Sequence, residues 1–259
     1  MNTIEDRTDG TVGKALDVLD RVASYGRAVR FAELMEDSPY PKATLYRLLQ
    51  TLTSQNMLVC AQDGSYALGA RLMRLAHAAW KSASLAPIAR SFVEELSARV
   101  GESVHLAQLE SGQVLFVDKL KVSGRFETLA QVGQVAPAYC TGVGKAMLAF
   151  LAPKRLEIAL RQQSFFKFTP ATHDSIESLM PEIEQVRKDG VAFDREEHQR
   201  GIISIAAPIL NTNGRVIGAI SIATSTTLHE QSELDTFRPI LLETAEKIGA
   251  EATHWQFPA

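Results

Sequence analysis

The segment Pro41–Ser54 constrains the fold most, because a helical apolar stripe follows directly on a helix-breaking sequence. Four leucines recur at three- and four-residue steps, which predicts a helix with one buried side. They are Leu45, Leu48, Leu49 and Leu52. The other side is small, polar and basic, with no acidic residue. The prolines of Ser38-Pro39-Tyr40-Pro41 prevent one continuous helix and place Pro41 in the first turn of this one.

The flanking segments complete a recognisable order of elements. Apolar periodicity predicts helices over residues 12–25 and 31–36, ahead of the leucine stripe. After it, two short apolar segments, residues 57–59 and 66–68, surround Asp63-Gly64, which is typical of a β-hairpin. Three helices followed by a hairpin predict a winged helix-turn-helix, with the leucine-striped helix as its recognition helix.

The polar side of that helix supplies candidate DNA contacts. Arg47 has the reach for a guanine edge or a phosphate, and Gln50 for an adenine. Their neighbours are expected to hold the phosphate backbone. The candidate DNA-binding residues are Lys42, Thr44, Tyr46, Arg47, Gln50 and Thr51. The alternative is an ordinary solvated helix face. The chain has a net charge of −3, but residues 38–75 are locally basic, which favours contact with double-stranded DNA.

With 259 residues, of which 46% are hydrophobic, the chain is long enough for two modest cores. Helices are predicted over residues 70–82 and 85–100, with a joint at Ser82-Ala83-Ser84. We therefore expect a DNA-binding domain with a linker helix in residues 1–82 and a second domain in residues 83–259.

The second half alternates short strands with a block of helices, which predicts an α+β domain with an antiparallel sheet. Strands are predicted over residues 104–107, 114–117, 126–132, 191–193, 203–210 and 216–223. Helices are predicted over residues 142–151, 153–163, 176–189 and 231–252.

Several classes of protein are not supported. Two distant cysteines argue against a disulfide framework or a cysteine-rich metal site. The polar N-terminus and the absence of an 18-residue apolar run predict a cytoplasmic protein without a membrane anchor. Cys140–Ala146 resembles a phosphate-binding loop but lacks its first glycine and its final Ser or Thr. We expect no cofactor and no metal.

Two segments of the second half are candidates for binding a small molecule. Small residues open the helix at Gly142, so its free N–H groups suit a carboxylate. The charged segment Asp194–Gly201 is expected to be mostly solvated, although Asp194 follows an apolar strand and is able to turn inward. His198 with Glu196 or Glu197 lacks a further metal ligand at helical spacing.

Taken together, the sequence resembles the IclR family of bacterial transcriptional regulators over nearly its whole length. The blocks that carry the resemblance are KALDVLDRVA, PKATLYRLLQTL, DGSYALGARLMRLA, TLAQVGQVAPAYCTGVGKAMLAFL and GVAFDREEHQRGIISIAAPILNTNGRVIGAISIA. The resemblance implies a winged helix-turn-helix, a linker helix and a GAF-like effector-binding domain. It also implies a homodimer or dimer of dimers on palindromic operators, most often as a repressor of a catabolic operon.

The resemblance further implies an effector site for a small organic acid. The positions that it carries over are Gly142, Val143, Asp194, Ser204 and Ser221. A second serine of the last strand is replaced by Ala223, which removes one hydroxyl donor from the site. Two other functions stay open: a constitutive DNA-binding scaffold whose pocket is closed by the bulky Val143, and an enzyme that uses Cys140 or Asp194.

Overall fold

The computed structural model describes residues 10–121 and 126–252, and the chain forms two compact units that divide between Ser82 and Ala83. The first unit contains α1 (Thr11–Ser24), α2 (Phe31–Glu36), α3 (Lys42–Ser54) and α4 (Ala70–Ala83). Its strands are β1 (Val29–Arg30), β2 (Leu58–Cys60) and β3 (Ser65–Leu68). The helices in the described residues include none that is long and apolar enough to cross a bilayer.

The first unit is a winged helix-turn-helix, as predicted. The four leucines of α3 are buried and pack against apolar side chains of α1, including Val18 and Val22. β2 and β3 form the antiparallel hairpin around Gly64, whose φ of 78° suits a glycine. β1 was not predicted, because two residues carry no periodicity; it pairs with β3 and completes a three-stranded sheet.

Helix α4 has the properties expected of a linker helix. None of its side chains is buried, and its apolar residues Met73 and Leu75 are exposed.

The second unit is built on one antiparallel sheet, with the strand order β6-β5-β4-β9-β8-β7. The strands are β4 (Ser103–Glu110), β5 (Gln113–Leu120), β6 (Val135–Pro137), β7 (Ala192–Arg195), β8 (Ile202–Leu210) and β9 (Val216–Ser225). The helices are α5 (Ala86–Val100), α6 (Gly142–Ala149), α7 (Pro153–Arg161), α8 (Ile176–Asp189) and α9 (Arg238–Glu251). A 3-10 helix, Gln231–Phe237, precedes α9. This architecture confirms the predicted α+β domain with an antiparallel sheet.

Side chains of successive strand residues point to opposite faces of the sheet, and this alternation separates two packed layers. On β8, Ile203 and Ile205 belong to one face, which α5 and α9 cover. Ser204 and Ala206 belong to the other face, which packs against α6 and, beyond it, α8. The predicted effector-binding residues Asp194, Ser204 and Ser221 lie in this second layer.

Two sequence predictions need correction. Residues 126–132 form no strand; the edge strand is β6, Val135–Pro137, paired with β5 through Val114↔Ala136. Of the apolar residues in this stretch, Leu129 and Ala130 instead line a cavity of the second unit. The predicted helix over residues 231–252 begins as the 3-10 helix, and α-helical geometry starts only at Arg238.

Candidate DNA-binding and effector sites

Helix α3 presents the predicted DNA-contacting residues on the side opposite its buried leucines. Thr44 is half-buried, and the other five residues are exposed. Lys42 and Arg47 form no ion pair within the described part of the chain, so both charges are available to a phosphate or a base edge.

Three of the candidates also have local structural partners. Tyr46 packs edge-on against Phe31, with ring centroids 6.2 Å apart. The Thr51 hydroxyl donates to the carbonyl of Arg47 at 2.9 Å, which holds it against its own helix. Gln50 lies within hydrogen-bond reach of Tyr66 on β3, the second strand of the wing. Lys42 and Arg47 are therefore the exposed candidates whose side chains have no partner among the described residues.

In the second unit, strand register gathers the predicted effector residues into two rows. Asp194 pairs with Ser204, which pairs with Ala223, across β7, β8 and β9. Ser221 pairs with His105 of β4 in the adjacent row. Side-chain alternation directs all of these residues to the face that α6 covers.

Helix α6 closes the site from above with its N-terminus. Thr141 precedes the helix, and its hydroxyl donates to the carbonyl of Pro137 at 2.9 Å rather than accepting an N–H of α6. The first N–H groups of α6 therefore have no side-chain cap. Gly142 lies so close to β8 that an added Cβ would stand 2.8 Å from the Ser204 hydroxyl oxygen.

The five predicted effector residues line one cavity of about 40 Å³ between α6 and the sheet. The described residues that line it are His105, Phe116, Thr128, Leu129, Ala130, Thr141, Gly142, Val143, Asp194, His198, Gln199, Ile202, Ser204, Ser221 and Ala223. The hydroxyls of Ser204 and Ser221 have no hydrogen-bond partner among the described residues. Ligand pockets commonly measure about 300–1,000 Å³, so this cavity holds a few water molecules or a very small ligand and must widen for a ring.

Among the described residues of the cavity lining, Asp194 carries the one acidic group. Burial raises its pKa to about 7, and the charge of Glu197 adds to this rise. The ammonium of Lys145 and the backbone N–H groups of Glu197 and His198 act in the opposite direction. Its Oδ1 accepts the Glu197 N–H at 2.8 Å. Near neutral pH this carboxyl is therefore poised between its neutral and ionised forms.

The two histidines of the cavity are held neutral. Burial, together with the charge of Lys119, lowers the pKa of His105 to about 3. Lys119 Nζ donates to Thr128 Oγ1 at 3.0 Å, and that oxygen lies 3.3 Å from His105 Nε2. Burial also lowers the pKa of His198.

Behind the cavity, Lys145 of α6 forms a buried ionic cluster. Its ammonium donates to Glu182 at 2.8 Å and to Glu197, and it is fully buried. Glu182 also receives hydrogen bonds from His173 and Arg195. Burial alone would raise the pKa of Glu182, but the His173 hydrogen bond and the charge of Lys145 outweigh it and lower that pKa to about 2.

The ligand atoms of His173, Glu182 and Glu197 lie within 4.8 Å of one another, a spacing compatible with a metal ion. Their two carboxylates, however, are already balanced by Lys145 and Arg195. A divalent cation would add two uncompensated charges to a buried cluster, so the residues fit an internal ion-pair network better than a metal centre.

Sequence reasoning missed His105 and Thr128 as cavity residues, and it weighed His198 only as a metal ligand. His105 and Thr128 have no motif, and only the strand register and a long loop bring them together. Lys145 was considered only as part of a failed phosphate-binding loop. Its signal was a lysine inside the otherwise apolar helix Gly142–Ala149, because a buried lysine requires a carboxylate partner.

Comparison with known proteins gives the same picture. The family model described as "IclR helix-turn-helix domain" matches residues 11–59, and the model "Bacterial transcriptional regulator IclR C-terminal" matches residues 77–250. HTH-type transcriptional regulator XynR of Escherichia coli (strain K12) is 31% identical over 88% of this chain and 91% of its own length.

Solved structures with the same fold include an IclR transcriptional regulator from Alicyclobacillus acidocaldarius. It has a TM-score of 0.77 and 25% identity, covering 95% of this chain and all of that one. An IclR homologue from Microbacterium hydrocarbonoxydans, solved in complex with 4-hydroxybenzoate, has a TM-score of 0.79 and 24% identity and covers 93% of this chain and 98% of that one.

A winged helix-turn-helix joined to a separate α+β domain with a polar cavity defines a DNA-binding transcriptional regulator with a C-terminal effector domain. The chain belongs to the IclR family of bacterial transcriptional regulators.

Proposed function

We propose that this protein is a cytoplasmic repressor of a catabolic operon whose hold on operator DNA is controlled by a small organic acid. One observation carries the effector half of this proposal. Gly142, Val143, Asp194, Ser204 and Ser221, separated by up to 79 positions in the sequence, line a single polar cavity.

The cavity chemistry supports a small, oxygen-rich ligand. Free hydroxyls, uncapped helix N–H groups and a carboxyl converge there, and Val143 narrows the space. The hydroxyls of Ser204 and Ser221 line the cavity without a hydrogen-bond partner among the described residues, which favours a ligand-binding pocket over a scaffold with a closed pocket. An enzyme that uses Cys140 is disfavoured as well, because burial raises the pKa of that thiol and keeps the nucleophilic thiolate scarce.

The effector proposal is tested by thermal unfolding of the full chain with a panel of small acids and aldehydes. A ligand at a hundred times its Kd stabilises its domain by about 2.7 kcal/mol, which is a Tm rise of about 5–10 °C. Ser221→Ala should weaken the ligand that produces this shift about tenfold or more, because a hydrogen bond to a charged group is lost.

Ser225→Ala is the matched control, since Ser225 lies on the same strand and does not line the cavity. Ser225→Ala should leave the ligand-induced shift unchanged. A panel that shifts neither the wild type nor the variants would favour the scaffold.

For the DNA half, we propose that α3 enters the major groove and that a homodimer or dimer of dimers matches two operator half-sites. The exposed, unpaired Arg47 supports this docking. Arg47→Ala should weaken operator binding by about 1–3 kcal/mol if it reads a base. Arg155→Ala, an exposed arginine of the second unit, serves as the control. Unchanged binding by Arg47→Ala, measured at fixed salt, would overturn the assignment of α3.

A further inference from the structure

We propose that an acidic effector enters this cavity together with one proton, which the Asp194 carboxylate takes up from solvent to become the neutral acid. The inference rests on the proposed function of the cavity as an organic-acid site. It adds a specific regulation, because the regulator would read the pH and the acid concentration jointly.

An entering carboxylate would find no full countercharge among the described residues that line the cavity. No lysine or arginine is among the residues that line the cavity within the described part of the chain. Two cations lie just outside this lining. Lys145 donates to Glu182 and Glu197 and is shared between them, and the Lys119 ammonium donates to Thr128 Oγ1 and to the carbonyl of Ala130. The N-terminus of α6 contributes only about half a positive charge. The negative charge of an entering carboxylate is therefore only partly compensated.

The charges of the side chains next to Asp194 cancel one another. Lys145 and Arg195 supply two positive charges, and Glu182 and Glu197 supply two negative charges. An ionised Asp194 makes this buried group net negative, and a bound carboxylate would add another negative charge beside it. Two carboxylates that share one site cannot both stay ionised without a large cost, so a proton is taken up.

Among the titratable groups at the cavity, Asp194 is the one that takes up the proton in this proposal. The other titratable groups that face it are Glu197, His198, Lys145, Cys140 and His105. Glu197 is held by the Lys145 ammonium, and burial lowers the pKa of both histidines. The Cys140 thiol is already protonated, because burial raises its pKa. Asp194 titrates near pH 7, and as a neutral acid it becomes a hydrogen-bond donor to the ligand carboxylate.

The test is isothermal titration of the full-length protein with pyruvate, which stays ionised from pH 6 to pH 9, in buffers that differ in ionisation enthalpy. The expected proton uptake is close to one per pyruvate at pH 8 and close to zero at pH 6. Above pH 7 the Kd should rise about tenfold for each pH unit. Asp194→Asn should bind pyruvate with a Kd that does not depend on pH and without proton uptake.

Asp235→Asn is the matched control, an exposed aspartate outside the cavity that pairs with Arg238; it should behave as the wild type. Pyruvate binding without proton uptake, or proton uptake that persists in Asp194→Asn, would refute the inference. Neither result would refute the proposal that the cavity binds an organic acid. Failure of pyruvate, glyoxylate and benzoate to bind at pH 6, where Asp194 is neutral, would refute the acid effector itself and the inference with it.

Discussion

The buried ammonium of Lys145 offers the sharpest test of the forces that hold the effector domain together. In Lys145→Met the side-chain volume is nearly kept and the charge is lost. Glu182 retains Arg195 and His173 as partners. Glu197 is 2% exposed and keeps one hydrogen bond, from the backbone N–H of Arg195 to Oε1; its Oε2 has no hydrogen-bond partner in the described residues and lies 4.0 Å from His173 Nε2. Lys145→Met therefore leaves the buried Glu197 carboxylate without its paired cation.

The magnitude follows from that geometry. Removal of one partner from a buried ion pair costs about 3–5 kcal/mol, because the remaining charge is neither solvated nor paired. We expect a loss of this size at pH 8. A carboxylate escapes the penalty by taking up a proton, so the loss should grow as pH rises above the unfolded-state pKa of a glutamate, about 4.3, and vanish below it.

The assay is urea unfolding of the full chain at pH 8 and pH 5, with circular dichroism to follow the effector domain. Lys247→Met, an exposed lysine paired with Glu243, should cost less than about 1 kcal/mol at both values. The double variant Lys145→Met/Glu197→Gln removes the stranded charge and should recover much of the loss. A loss below about 1 kcal/mol at pH 8 for Lys145→Met alone would refute this account of the cluster.

Two further substitutions test the geometry of α6 and the cavity. Gly144→Ala should destabilise the effector domain by about 1–3 kcal/mol in a thermal melt, although helices usually prefer alanine to glycine. The reason is that the new Cβ would stand 2.3 Å from the Ala138 carbonyl oxygen. Gly10→Ala should cause no such loss, because nothing lies within 4 Å of the Cβ that it adds. Ala223→Ser adds a hydroxyl beside Ser204 and should tighten binding of a small acid by about 0.5–1.5 kcal/mol in a titration; unchanged or weaker binding would mean that the ligand does not reach this row.

Local periodicity in the sequence was sufficient to predict the helices and strands whose packing partners lie nearby in the sequence. The leucine stripe of α3 predicted all four of its buried residues, and Asp63-Gly64 placed the wing. Prediction failed where the structure depends on distant contacts. β6 has only three residues and is held by β5, so the longer apolar stretch 126–132 gave the stronger but misleading strand signal. The register that brings Asp194, Ser204 and Ala223 into one row was likewise not readable from any single segment.

The same distant contacts link the cavity electrostatically to the ion pairs of Lys145. Lys145 lowers the pKa of Asp194 while Glu197 raises it, and the two are themselves an ion pair. Any displacement of α6 that lengthens this pair therefore alters the charge felt by the cavity carboxyl. An acid that binds at the N-terminus of α6 contacts the helix that carries Lys145. Our proposal for the effector therefore implies that its binding and the protonation of Asp194 are coupled through α6, the helix that carries Lys145.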